Sequence, residues 1–500
     1  MTSVNPAPAV NSGRLRRHYT YLLLFSFFAA LLFQLICSKS SPLYPMNDWV
    51  DVNCFFTVGK SALNGKVLYR DIYEQKGPIL YFIYAAIALI SDTSFIGAFI
   101  VHVIAMTLFL YFSARIVLLI SENGIAACLT VVLLALFVHT TTAFFHGGSA
   151  EEMCLWMLSA TLYIMAKAVK TDSVPKVWEA LVIGLFAGFV LYVKYNFISF
   201  FFGIALFVLI LHIQMRQFKR LFANIGAFLG GIALVSAPIF AYFAIHKAIP
   251  DFLTSYVYNN LFVYDRIFEY ASNPILNRIL SILRNIAKSA YYNPAVFAAI
   301  IAGIVYAIIK KPGKRRMLTL ILLPFVLLAV AALWSKYYRY YCLILAPFAA
   351  FGFCWLKFKP RLISKIMVGV ILVCALAGSY FLSGNTYLMK YEKEDMPQYR
   401  FAKHINEVED ATLLNYAFLD GGFYHAAQIE PTARFFCKLN VPLPEMAQEQ
   451  NELIENAAVD FIVTYNFELE TPDYSCIDTC EFFFEGRMFE YRLYKNVNLM

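Results

Sequence analysis

Apolar runs alternate with short polar stretches from Tyr19 to about residue 384, and most of them approach the roughly 20 residues that a membrane-crossing helix needs. The first, Tyr19 to Cys37, follows the basic Arg14-Leu-Arg-Arg17. It is long enough to span and is followed by no small-x-small cleavage site, so it reads as an uncleaved first helix rather than a signal peptide. Further spans are expected at about 95–120, 125–144, 152–170, 177–193, 198–213, 221–245, 291–309, 317–334, 340–356 and 366–384. The run Pro78 to Ile90 is too short for an unstrained crossing and is placed at the membrane interface.

Charge orients these spans. With eleven crossings and the short run left at the interface, one side receives Lys167/Lys170/Lys176, Arg216/Lys219/Arg220, Lys310/Lys311/Lys314/Arg315/Arg316 and Lys357/Lys359/Arg361/Lys365. The positive-inside rule makes that side cytoplasmic. Residues 40–94, 145–151, 194–197, 246–290, 335–339 and everything after about 385 then share the outer face.

Composition agrees. Hydrophobic residues make up 60% and charged residues 15% of the 500, more apolar surface than a soluble domain hides. The net charge of +8 sits in the clusters between spans, so it is topogenic and no nucleic-acid partner is expected. Five of the ten cysteines (Cys37, Cys128, Cys342, Cys354, Cys374) lie in apolar runs, and none has metal-ligand spacing. Cys476 and Cys480 are the one close pair, either a disulfide on an outer face or two reduced thiols.

The chain is therefore expected to be a polytopic α-helical membrane protein, with a transmembrane part over 1–385 and a soluble domain over 386–500. The tail alternates strand-like runs (412–416, 459–464, 491–494) with a helix-like stretch over 444–458, which suggests a small α/β domain. No Gly-rich nucleotide loop follows any of its strands. A lid or acceptor-docking role and a purely structural cap are equally open.

Candidate chemistry gathers on the outer side. Asp48 and Asp51 follow the first span; each is either a solvated helix-end acid or a general base or cation ligand, and on a short helix they would share a face. Lys76, before Gly77-Pro78, either snorkels or meets a headgroup phosphate. Glu151 and Glu152 open a helix behind Ser149, a plausible N-cap, and cannot share a face, so a mechanism would use one of them. Lys194, Lys336 and Arg339 run against the charge bias and form a candidate phosphate cradle among tyrosines. Tyr69, His146, Tyr195 and Tyr340 are the expected substrate-lining side chains. Acids beside a basic aromatic patch suit a substrate with an apolar tail, a phosphate and a sugar. A single displacement at the anomeric carbon would invert it.

Asp48 after the first span, Gly65 and Tyr69, Lys76-Gly77-Pro78-Ile-Leu-Tyr81, Glu151-Glu152 and Arg339-Tyr-Tyr…Pro347 together resemble the GT-C superfamily of membrane glycosyltransferases. The likeness is to the bacterial group related to protein O-mannosyltransferases and to the lipid A aminoarabinose transferase (glycosyltransferase family 39-like). It implies a polyprenyl-phosphate sugar donor, a lipid, glycan or protein acceptor, and a monomer in the bacterial cytoplasmic membrane working on the periplasmic side. It assigns Asp48 as base or metal-linked acid, Lys76 to the donor phosphate, and Glu152 or Glu151 to the acceptor. A divalent ion (Mg, Mn or Zn) would fall between Asp48 and Glu152. The first loop has Asn47-Asp48 where many relatives have Asp-Glu, which leaves metal dependence and the identity of the base open. On this reading Asp48→Asn abolishes transfer without disturbing folding. A transporter or flippase, or a polymerase or ligase of lipid-linked sugars, is the alternative; no internal repeat supports the first.

Overall fold

The computed structural model describes residues 12–264, 274–310, 314–334, 337–484 and 486–499. Helix α1 (Ser12–Cys37) is followed by two short helices, α2 (Val50–Leu63) and α3 (Pro78–Ile90). Then come α4 (Ile96–Ser121), α5 (Gly124–His139), α6 (Ala150–Lys170), α7 (Val177–Leu191), α8 (Ile198–Gln214) and α9 (Phe218–Ile245). A short α10 (Ile249–Phe252) runs into a π-helical stretch, Leu253–Val263, and α11 (Pro274–Tyr292), α12 (Pro294–Ile309) and α13 (Lys314–Ala332) follow. A 3-10 helix, Arg339–Trp355, and α14 (Leu362–Leu382) complete the bundle.

Among the described residues, α1, α4, α6, α8, α9, α13 and α14 are long and apolar enough to cross a membrane, and α11 and α12 form a pair bent by 108°. Each of the eleven expected spans coincides with a helix, though α5 ends five residues early and α7, α13 and α14 end two residues early. Beyond His139 the backbone passes into tight turns, Thr141 N bonding Val138 O and Phe144 N bonding Thr141 O, so α5 ends at His139 rather than 144. Helix α7 stops at Leu191 because the carbonyls of Tyr192 and Val193 accept from Ile79 N and Gly77 N instead. The span expected at 340–356 is the 3-10 helix. Its 17 residues extend about 34 Å at 2.0 Å per residue, where an α-helix would reach only about 25 Å. The tighter winding thus reaches further per residue than an α-helix of the same length. Long 3-10 runs are weak by themselves; this one is buried from Tyr341 to Phe351 and packs on α4, α6 and α12.

Close helix approach relies on small residues, as expected where lipid removes the hydrophobic drive between helices. A Cβ on Gly184 of α7 would lie 2.1 Å from Phe228 O of α9, and one on Gly231 would lie 2.4 Å from Leu181 O. Large apolar side chains such as Phe222, Leu234, Ile363 and Phe381 are left facing outward on α9 and α14, where lipid would cover them.

The two sets of loops sit at opposite ends. At one end Lys39 N bonds His146 O, Gly77 N bonds Val193 O, Asn260 Nδ2 bonds Gln75 O and Asn385 Nδ2 bonds Cys37 O. At the other, Lys170 pairs with Glu122, Arg316 with Asp172, and Asn123 Nδ2 bonds Phe358 O. Helix α3 has both termini at the first end: Gly77 meets Tyr192, and Ile87 O meets Gly97 at the start of α4. It does not cross, which preserves the alternation that the charges required. The described residues of the loop expected over 246–290 are largely helical, with α11 amphipathic: Ile275, Leu276, Ile279, Leu280 and Leu283 are exposed along one side.

The tail adds α15 (Pro397–Ile405), α16 (Phe423–Ala427), α17 (Pro444–Glu455) and strands β1 (Leu413–Asn415), β2 (Phe461–Tyr465), β3 (Tyr474–Phe484) and β4 (Arg487–Asn496). The sheet order is β1-β2-β4-β3, with β1 parallel to β2 and the rest antiparallel. Strand β3 was not marked by the sequence, and it decides the cysteine question. Cys476 and Cys480 lie on this one strand, so about four residues of extended chain, roughly 13 Å, separate them. That is beyond the Cα separation of about 7 Å that a disulfide tolerates, so the pair does not bridge.

Candidate active site

The tail and the first outer segment meet at the end of the bundle where residues 145–151 and 194–197 also lie. Tyr73 N bonds Arg434 O, Arg434 Nε bonds Tyr69 O, and Thr57 Oγ1 donates to Asp420 Oδ2 at 2.6 Å. Beside this junction opens a cavity of about 480 Å³. Asp51, Gln75, Lys76, Lys194, Tyr195 and Asn196 line one part of it. Tyr256, Asn260 and Tyr264 from the π-helical side, Trp334, Tyr340 and Tyr341, and Asn440 from the tail line the rest.

Gly77 explains why Lys76 and Lys194 arrive together. A Cβ there would lie 2.0 Å from Tyr192 O, so only glycine lets the start of α3 pair its backbone with the end of α7. Each lysine has its own carboxylate. Lys76 Nζ lies 3.3 Å from Glu74 Oε1 and 5.4 Å from the Phe55 ring centre, and Glu74 also accepts from Lys76 N and from the Tyr81 hydroxyl. Burial would lower the Lys76 pKa, but Glu74 and Asp51 outweigh it and hold the ammonium above its ordinary range. Lys194 is paired with Glu151 and stands 4.0 Å from the Tyr341 ring centre. Burial pulls its pKa down against the opposing pull of Glu151.

The first-loop acid in the cavity is Asp51. Asp48 precedes α2 while Asp51 occupies its first turn, so the two do not share a face. Asp48 is buried against Lys39 at 2.7 Å, with side-chain exposures of 2% and 0%, and does not line the cavity. The adjacent glutamates also diverge. Gly147 and Gly148 take positive φ (76° and 98°), a turn that Ser149 ends by capping α6 through Glu152 N at 3.1 Å. Glu151 then turns to Lys194, whereas Glu152 is sealed among Gln34, Gly148 N at 2.9 Å and His102 Nδ1 at 3.4 Å. Neither lines the cavity.

Of the expected phosphate cradle, Lys194 and Lys76 stand in the cavity, Arg339 is exposed and outside its lining, and Lys336 lies outside the described residues. Tyr195 and Tyr340 line it. Tyr69 instead donates to Lys76 O at 2.7 Å, shaping the loop, and His146 packs on Trp49 and Phe145 with Nδ1 3.1 Å from Asn385 Oδ1. Among the described residues no three His, Cys, Asp or Glu side chains converge in a metal-binding group, and Asp48 and Glu152 are engaged by Lys39 and Gln34. The residues present do not fit the divalent ion suggested by the resemblance. Glu74, Asn260, Tyr256 and Asn440 are additions. Glu74 was legible as the acid two residues before Lys76; Asn440 carries no local signal.

Residues 75–245 match the family model described as dolichyl-phosphate-mannose-protein mannosyltransferase, a segment that begins in the cavity wall beside Lys76. No curated protein matches the chain by sequence. By structure the chain is similar to ArnT from Cupriavidus metallidurans bound to undecaprenyl phosphate (TM-score 0.62, 11% identity, 97% of this chain and 98% of that one covered). It is equally similar to the apo state of the same protein (TM-score 0.63, 10% identity, 96% and 98% covered). At these identities the likeness is one of fold, and it extends over nearly the whole chain, tail included.

Proposed function

We propose that this chain, which has the fold of GT-C membrane glycosyltransferases and a mannosyltransferase-family segment running from its cavity wall into the bundle, is itself a glycosyltransferase using a polyprenyl-phosphate-linked sugar. The observation that carries the reading is the cavity, where Asp51 faces Lys76 and Lys194 at the end of the bundle assigned to the outer leaflet by the charge clusters. A donor of this class has three parts. The apolar chain would lie against the bundle where Val330, Ala331 and Leu261 line the cavity, the phosphate would meet the two ammonium groups, and the sugar would rest against tyrosines.

The proposed chemistry is one displacement. An acceptor hydroxyl attacks the anomeric carbon, Asp51 takes its proton, and the bond from that carbon to the phosphate oxygen breaks with its electrons left on the phosphate. Lys76, held charged by Glu74, stabilises the departing anion as its charge develops. The configuration at the anomeric carbon inverts. The fold of ArnT, solved with undecaprenyl phosphate, supports a lipid of this class as the carrier; the acceptor is proposed only as a hydroxyl-bearing lipid, glycan or protein.

Purified protein in detergent, given radiolabelled polyprenyl-phosphate sugars and membrane extracts, should transfer label to an acceptor and release polyprenyl phosphate. Movement of the donor between the two leaflets of reconstituted vesicles with no transfer would establish the transporter alternative instead.

A further inference from the structure

Cys54 and Cys437 are 383 residues apart in sequence, yet their sulfurs lie 3.8 Å from each other, both side chains buried. The contact sits on the seam between α2 and the tail, beside Thr57–Asp420 at 2.6 Å and near Lys60–Gln428 at 3.0 Å. On each side it is close in sequence to a residue that lines the cavity. Cys54 is one helical turn beyond Asp51, and Cys437 is three residues before Asn440.

We infer that Cys54 and Cys437 form a disulfide that staples the tail to α2 beside the cavity. The sulfurs are already in van der Waals contact, and bonding requires them to close from 3.8 Å to about 2.05 Å. The oxidant required is an external disulfide, on a protein or a small thiol carrier of the cell envelope. One cysteine thiolate attacks it, releasing one thiol and leaving a mixed disulfide; the second cysteine thiolate attacks that bond and releases the other. The two cysteines lose two protons and two electrons in all, and the external disulfide leaves as two thiols. Burial raises the pKa of both thiols once the tail is docked, so exchange belongs to the docking step and the finished bond is shielded from reductant.

This inference rests on the outer placement of α2 and the tail, because only that face is oxidising. Exposed Cys476 on β3 reports the placement independently. Sealed right-side-out and inside-out membrane vesicles are treated with a membrane-impermeant maleimide, acid-quenched, denatured, alkylated with a second reagent and digested without reductant. Peptide mass spectrometry is expected to find Cys476 labelled in right-side-out vesicles. The Cys54 and Cys437 peptides should be joined, separating on reduction, and Cys54→Ser should release Cys437 as an alkylated thiol. Recovery of both peptides as alkylated thiols, with Cys476 labelled from outside, overturns the disulfide and leaves the proposed function standing. Labelling of Cys476 only in inside-out vesicles overturns the sidedness of the site, and the disulfide with it.

Discussion

Asp48 and Asp51 are three residues apart and meet opposite surroundings. Asp48 and Lys39 neutralise each other out of water, and removing one partner of such a pair leaves an unpaired buried charge, at a cost of about 3–5 kcal/mol. Asp48→Ala is therefore expected to lower the thermal unfolding midpoint in detergent strongly, and the double variant Lys39→Met/Asp48→Leu to recover much of it. Asp51→Asn should behave in the reverse way. Its melting should stay close to wild type while turnover falls by about 10²- to 10⁴-fold, the range of a lost general base. This differs from the expectation drawn from the sequence, in which Asp48→Asn is the variant that folds but does not react. A steady-state assay run beside a melting curve separates the two acids; equal losses of turnover per degree of melting would sink the assignment of Asp51.

Among the elements, the pairing of α3's start with α7's end governs the site. It is a backbone contact, Gly77 N to Val193 O at 3.2 Å and Ile79 N to Tyr192 O at 3.1 Å, with no room for a side chain. Gly77→Ala must push these segments apart and displace Lys76 from Lys194. A misplacement of about 1 Å near reacting groups can cost on the order of 10²-fold in rate. The expected result is a fall in kcat/KM of that order, with weaker retention of polyprenyl phosphate and a largely intact bundle, measured by lipid binding and circular dichroism together. The same contact explains why α3 stays at the interface: its N-terminus is tied to the end of one span and its C-terminus to the start of another.

Over the whole molecule, the tail docks through a carboxyl that has left water. Asp420 accepts from Thr57, Gly422 N and Asn415, but burial outweighs these bonds and pushes its pKa up to about 6, from an ordinary 3.8. Because the folded state holds the proton more tightly than the unfolded one, this group favours folding most below its ordinary pKa. The contribution is lost as pH rises from about 4 to about 6 and is level above that, a swing of at most about 3 kcal/mol. Wild-type protein should unfold at a higher temperature near pH 5 than near pH 7.5, and Asp420→Asn should lose that part of the pH dependence. A wild-type curve that rises with pH across this window would contradict it.

The sequence by itself determined what depends on local composition. Run length placed the helices of all eleven expected spans, charge clusters sorted the loops into two groups, and Lys76-Gly77-Pro78 marked the start of a short interfacial helix. These are properties of each segment's own transfer between water and lipid, so they need no neighbour to be read. The tertiary structure decided everything that depends on direction. Which of Asp48 and Asp51 faces the cavity follows from where α2 begins. Which of Glu151 and Glu152 holds a lysine follows from the turn at Gly147 and Gly148, and Asn440 and Cys437 reach α2's neighbourhood only because the tail folds back on it. Whether the run at 340–356 crosses as an α- or a 3-10 helix was equally illegible, since its apolar pattern is the same in either and only packing on α4, α6 and α12 selects the tighter winding.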